Sequence, residues 1–392
     1  MQPSQWDRIM DVTDAYCRTY SERLSHTQVF DHARDVVVSE LNQADVLCEN
    51  DSRHYTRAES LRIIKMDKRW SALFCVLLVQ IVSWGAVSPI VRRTPNGEYA
   101  VEMTVKTAIE DGPVSDFMLN VPYPKSNQYH DIEWKSPVPS KLLKPYKESG
   151  DDRIFFTQEN CSEVPEIKMV FNVKFYSVET EFEKITKIFP YKRNTRLYKE
   201  NIRSKETVEN LKNKWIRESV KRLVAKSGKD PLSYARNAYA HVVTNFTYGL
   251  PPQSDESELV RTIKARRGDC GLLSAVYVAL LRAGGVPSRL VACLRPIEGQ
   301  ECHCWTEFYL EGYGWLPVDV TMDLGATPSF RHFGNLYDHT IVMTQGTNFE
   351  VKSAGGRTVL MQFCQAKCWW FWNSGGRCGR PSVSSTIKGT RQ

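Results

Sequence analysis

Gly268-Asp269-Cys270-Gly271, continued by LLSAVYVALLRAGG to Gly285, is the stretch on which the reading of this chain turns. The run from Leu272 to Ala283 is apolar almost all round. Such a pattern predicts a buried helix, ended by the glycine pair Gly284-Gly285. Cys270 then falls at the helix N-terminus. Unpaired backbone amides and the helix dipole there favour an anion. A thiol in that place has a lowered pKa and becomes a usable nucleophile. The flanking glycines let a substrate backbone approach closely. The Cys270 amide is also a candidate donor to a developing oxyanion.

Downstream, Ser288 to Leu294 reads as one strand and His303 to Leu310 as a second. Glu311-Gly312-Tyr313-Gly314 forms a turn, and Trp315-Leu316-Pro317-Val318-Asp319 starts a third strand. A hairpin of this kind sets His303 and Asp319 on adjacent strands. A helix start packed on that sheet brings Cys270 to the imidazole. His303 would pair with the thiolate and later protonate a leaving group, while Asp319 would orient the ring. Taken singly, Cys270 reads as a buried structural cysteine, His303 as a core histidine and Asp319 as a turn residue. The three in this order and context read as a catalytic set.

Upstream, Val208, Leu211, Trp215 and Leu223 fall near helical spacing. Asp230-Pro231 is a helix start, with Asp as cap and Pro in the first turn. Leu232, Ala235, Tyr239, Val242, Val243 and Phe246 then line one face and read as core.

GDCG, the His-x-Trp-x-Glu strand, Trp-Leu-Pro-Val-Asp and the lead-in AYAHVVTNFTYG together resemble the transglutaminase-like superfamily of cysteine enzymes, in its bacterial exported type. The resemblance covers about residues 205 to 345, including Phe333-Gly334-Asn335-Leu336. It implies an α+β, papain-like core in which Cys270, His303 and Asp319 are the catalytic cysteine, histidine and aspartate. Tyr248 lies where an aromatic or polar residue helps the family's oxyanion site. Trp305, Glu307 and Trp315 read as structural. Cys302 and Cys304 flank His303 on the opposite strand face and are not assigned as metal ligands. No calcium loop is evident. Neither a metal nor a cofactor is therefore expected.

Before the core, residues 97 to 185 carry strand signals. Ile167, Met169, Phe171, Val173 and Phe175 alternate with Lys168, Val170, Asn172 and Lys174. That period of two marks a strand with one buried face. GEYAVEMTVKTAI is similar but weaker. Proline-rich turns separate the runs, so residues 89–200 are expected to form a β-sandwich-like domain that serves as spacer or recognition module.

Residues 71 to 91, SALFCVLLVQIVSWGAVSPIV, hold no charge and follow Met66-Asp67-Lys68-Arg69. Read from Met66, residues 66–88 form a signal peptide, with Ser83 and Gly85 at the small positions before a cleavage site near Ala86. The alternative is a retained membrane anchor through residues 71–91. Residues 1–65 are a polar extension, either upstream of the true start or a cytoplasmic tail. Both readings export the rest of the chain to a periplasmic, secreted or membrane-anchored location. Residues 201–350 are the core and 351–392 a Cys/Trp-rich tail. In that tail Cys364, Cys368 and Cys378 could include one disulfide, and the last residues are expected to be disordered.

The 392 residues are 42% hydrophobic and 25% charged, with a net charge of +7 spread along the chain. No basic stripe or nucleic-acid reading motif occurs, so nucleic acid is not an expected partner. The eleven cysteines are irregularly spaced without a Cys-x-x-Cys pair, which argues against a standard zinc module. The function these features imply is an exported cysteine-dependent acyl hydrolase or acyltransferase. It would act on peptide or amide bonds of a protein substrate through a thioester, with hydrolysis favoured. Transglutaminase-type crosslinking and a non-catalytic binding protein on the same fold are the alternatives.

Overall fold

A computed structural model describes residues 90–136, 142–145, 152–203, 211–296 and 302–392. The polar extension of residues 1–65, the signal peptide or anchor, and Val208 lie outside the described residues, save that Ile90 and Val91 of the apolar stretch are described.

The first strands are β1 (Val91–Glu110), β2 (Val114–Tyr123), β3 (His130–Trp134), β4 (Leu143–Pro145), β5 (Asp152–Cys161) and β6 (Ile167–Thr180). On β6 the residues from Ile167 to Phe175 alternate as the sequence predicts, with Ile167, Met169, Phe171, Val173 and Phe175 buried. The antiparallel partner β1 matches this face, setting Met103 opposite Met169 and Val101 opposite Phe171. Outward, Lys168 pairs with Glu102 and Lys174 with Glu98.

The helical half follows: α1 (Arg196–Asn201), α2 (Lys214–Ser227), α3 (Pro231–Asn245), β7 (Thr247–Tyr248), α4 (Glu258–Ala265), β8 (Arg267–Gly268) and α5 (Cys270–Ala283). Asp230 caps α3 by accepting from the amides of Leu232 and Ser233, both at 3.1 Å. Ala235, Tyr239, Val242, Val243 and Phe246 are buried as expected, but Leu232 in the first turn is only partly covered. Every α5 residue from Leu273 to Arg282 is buried. The two glycines ending α5 differ in purpose. A side chain on Gly284 would strike the Tyr234 ring at 2.1 Å, while Gly285 takes a left-handed φ of 87°.

The remaining strands are β9 (Ser288–Leu294), β10 (Cys302–Leu310), β11 (Gly314–Val318), β12 (Ile341–Gln345), β13 (Phe349–Lys352), β14 (Thr358–Met361), β15 (Cys368–Trp372) and β16 (Arg380–Arg391). One sheet has the order β11-β10-β9-β12, and α5 packs on β9 and β10. Helices and antiparallel sheets together make an α+β protein.

Two further sheets form the sandwich, in the orders β16-β1-β6-β3 and β15-β2-β5-β4. Here the expectation for the tail is corrected. Instead of a disordered end, residues 368–372 and 380–391 give each sheet an edge strand, pairing with β2 and β1. The reason is visible in β16: Pro381 and Ile387 are buried and Val383 partly so, between exposed Ser382, Ser384 and Lys388. That is period two again, beneath a composition that reads as disordered. β1, paired along one side only with β6 and β3's sheet, would otherwise present a long open edge. Nor is the sandwich a separate front domain. Leu294 of β9 with Ile341 and Met343 of β12 join its apolar core. Apart from Gly312–Gly314, residues 90–392 form one unit. Cys364, Cys368 and Cys378, which could have included a disulfide, are free thiols.

Candidate active site

Local chemistry sets the first element. Asp269 caps α5, its carboxylate accepting from the Leu272 amide at 2.9 Å. The cap leaves Cys270 as the first helical residue, with its amide free of the helix's own hydrogen bonds. Just before it, β7 and β8 form a two-residue parallel pair that sets Tyr248 beside Gly268. Arg266 makes the turn into β8 at a left-handed φ of 53°.

The three residues singled out in the sequence meet. His303, on β10, and Asp319, just past β11, are both buried, and His303 Nε2 lies 2.6 Å from Asp319 Oδ2. That leaves Nδ1 as the ring nitrogen for the Cys270 thiol, to which the imidazole is hydrogen-bonded. Thr321 completes the carboxylate, donating to Asp319 Oδ1 from its amide (2.9 Å) and its hydroxyl (2.6 Å). Behind it, the Asp319 amide donates to His332 O at 3.0 Å. Asp323 ties this region together, accepting from the Tyr239 hydroxyl and pairing with His332 Nδ1 at 2.9 Å.

Electrostatics follow from these contacts. The Cys270 thiol is pulled well below its ordinary value, first by the hydrogen-bonding Cys304 thiol, against burial, and then by the His303 bond and charge. Burial works to neutralise His303, but the Asp319 hydrogen bond and the Cys270 thiolate outweigh it and raise the imidazole. Burial likewise opposes ionised Asp319, and His303 and Thr321 reverse it. These directions favour a thiolate beside an imidazolium, next to a buried carboxylate. Tyr248 is 58% exposed and its hydroxyl contacts the Cys270 thiol.

Cys304, next to His303 on β10, forms a cluster with Leu290 and Ala292 against which Cys270 and Phe363 pack, and its thiol hydrogen-bonds Cys270. The cause is that α5 lies across this face of β10, where Ser274 Oγ donates to Cys304 O at 3.4 Å. Thr321, Cys304 and Phe363 carry no sequence signal of their own, since each is placed by packing. Trp305 and Glu307 are buried, Glu307 meeting Arg289 at 2.6 Å and Tyr129 OH at 2.6 Å. Among the described residues no group of His, Cys, Asp and Glu is arranged to hold a metal ion.

Residues 218–320, which include Cys270, His303 and Asp319, match the family model of the transglutaminase-like superfamily. This stretch is similar to the transglutaminase-like core. An uncharacterised protein of Haemophilus influenzae is 31% identical over 86 residues, 16% of this chain. The match spans only 23% of that relative's length. Two solved structures resemble the chain more distantly. One, from Cytophaga hutchinsonii and proposed to be a cysteine protease, is 11% identical with a TM-score of 0.45, covering 76% of this chain and all of that one (100%). The other is the periplasmic domain of TgpA from Pseudomonas aeruginosa, 16% identical with a TM-score of 0.30, covering 60% of this chain and 93% of that one.

Proposed function

We propose that this chain is a cysteine-dependent acyl hydrolase acting on peptide or amide bonds, with Cys270 as nucleophile. The observation that carries the reading is the contact chain Cys270–His303–Asp319 at the start of a buried helix. In the first step the Cys270 thiolate attacks the amide carbonyl. The negative oxygen that forms meets the Cys270 amide at the helix start and the Tyr248 hydroxyl. The C–N bond breaks as the His303 imidazolium protonates the leaving amine, giving a thioester. His303, now neutral, takes a proton from water. The water oxygen attacks the thioester, the acid leaves and the thiolate returns. Asp319 keeps the ring oriented through Nε2 and stabilises its charged form.

Hydrolysis is favoured over transfer to an amine because water needs no positioning to reach a thioester beside exposed Tyr248. Tyr248, in contact with the thiol, is more than half exposed, so a thioester here meets water at roughly 55 M and a competing amine gains only by positioning. A protein or peptide is the substrate class, and the uncharged stretch of residues 71–91 supports export to act on it. The test is a partition assay on purified protein, using a glutamine-containing peptide and a labelled primary amine. Hydrolysis that exceeds amine incorporation and vanishes in Cys270→Ala is the expected result. Incorporation exceeding hydrolysis would move the assignment to crosslinking, and activity retained in Cys270→Ala would end the reading.

A further inference from the structure

Residues 362–367 link β14 to β15 and run past the candidate site, although the mechanism above uses none of them. The segment is pinned at Cys364. Its amide donates to Thr344 Oγ1 at 3.2 Å, and Thr344 Oγ1 donates back to Cys364 O at 2.9 Å. On one side of this anchor Phe363 packs against the cluster of Leu290, Ala292 and Cys304 that Cys270 also joins. A side chain on Gly271 would come within 3.5 Å of its ring. On the other side Gln365 Nε2 donates to His303 O at 2.9 Å and reaches Cys304 Sγ at 3.4 Å. One carboxamide thus touches the backbone of the candidate base and the sulfur beside the candidate nucleophile. With the Cys293 thiol, which donates to the same carbonyl at 3.2 Å, its hydrogen bond holds the backbone from which the imidazole projects.

We propose that Gln365 is a positioning residue, holding the His303 backbone and the Cys304 thiol so that imidazole and nucleophile stay within bonding reach. The proposal rests on the proposed function, and it gives the C-terminal segment a part in the chemistry as well as in the sandwich. Gln365 acts through other residues and touches no reacting atom. Because small misplacements of reacting groups carry large rate penalties, its loss should appear in the reactivity of Cys270 before it appears in folding.

The test reads thiol chemistry, not turnover. Gln365→Met keeps the shape and removes the donor, and Gln365→Glu keeps the length but can only accept when ionised. The rate of Cys270 alkylation by iodoacetamide is followed by peptide mapping across the pH range, with exposed Cys378 as internal standard. Thermal unfolding is measured on the same samples. The expected result is about tenfold slower labelling of Cys270 at mildly acidic pH, with the half-point of its profile moved upward. Cys378 labelling and the full-length fold should be unchanged. A Cys270 profile that superimposes on the parent, with or without a lower Tm, overturns the proposal and leaves Gln365 a packing role. If neither variant folds, Gln365→Asn is read by the same two criteria. Failure of the functional reading looks different, because Cys270 of the unaltered chain would then show no enhanced reactivity at all.

Discussion

On β6 the inward side chains from Ile167 to Phe175 are all apolar, and the charges of Lys168 and Lys174 stay in solvent beside Glu102 and Glu98. Around β10 the inward set includes His303, Glu307 and, from the next strand's end, Asp319. The sandwich gains from removing apolar area from water, about 1.5–3 kcal/mol for each large side chain fully covered. The site buries ionisable groups, which is costly unless each meets a partner. Every one of these does: His303 meets Asp319, Asp319 meets Thr321, and Glu307 meets Arg289. The lesson is that one region depends on apolar volume kept out of water, while the other depends on individual polar atoms.

The largest break between the two is expected from Cys270→Ala. Removing a nucleophile that works as part of a unit should lower activity by at least about a thousandfold. Cys270 lies at a helix start and only partly buried, so thermal unfolding should move little. Next comes Phe171→Ala in the sandwich, with the opposite signature. It should cost about 3–5 kcal/mol of stability in denaturant titration. Cys270 in the molecules that remain folded should label at the parental rate. Equal loss of stability and thiol reactivity would show that the two regions are mechanically one.

A pH profile sharpens the comparison further. The thiolate–imidazolium pair exists only between the lowered Cys270 pKa and the raised His303 pKa. Activity should therefore rise as pH climbs through the first and fall as it climbs through the second. The sign for stability follows as well. His303 is raised in the fold, so its contribution is fully present below its unfolded pKa and lost as pH rises through the folded one. Asp319→Asn should pull the upper limb downward, seen as earlier loss of Cys270 labelling contrast. The smallest effect is expected from Tyr248→Phe, about a tenfold drop in kcat, because the Cys270 amide remains as a second oxyanion donor. A change in KM alone would make Tyr248 a substrate contact only.

Much of the site was legible because its signals are local. Cys270 after Asp269 and before a wholly apolar run marks a helix start whichever partners the helix finds. His303 and Asp319 flank one hairpin, separated by 16 positions that a turn closes. The same holds for β6, whose alternation is complete within nine residues. By contrast, the Ser, Thr and Gly content of β16 points to disorder, although Pro381, Val383 and Ile387 carry the strand period. Composition averaged over a segment hid a pattern that position would have shown.

What the sequence determined by itself was therefore the set of elements with a self-contained period, cap or turn: α3, α5, β6, and the β10–β11 hairpin, with the three residues that α5, β10 and the end of β11 present. Tertiary structure alone decided the rest. It closed both sheets with strands from the far end of the chain, pairing Tyr99 with Arg391 and Asn120 with Cys368. It turned His303 so that Nε2 faces Asp319, pressed Cys304 against Cys270, and carried Gln365 to the carbonyl of a residue 62 positions away. A helix cap or a strand period is fixed by neighbours within one or two turns of chain. A contact between distant segments depends on which faces must be covered together to bury the core, and no local window of residues contains that information.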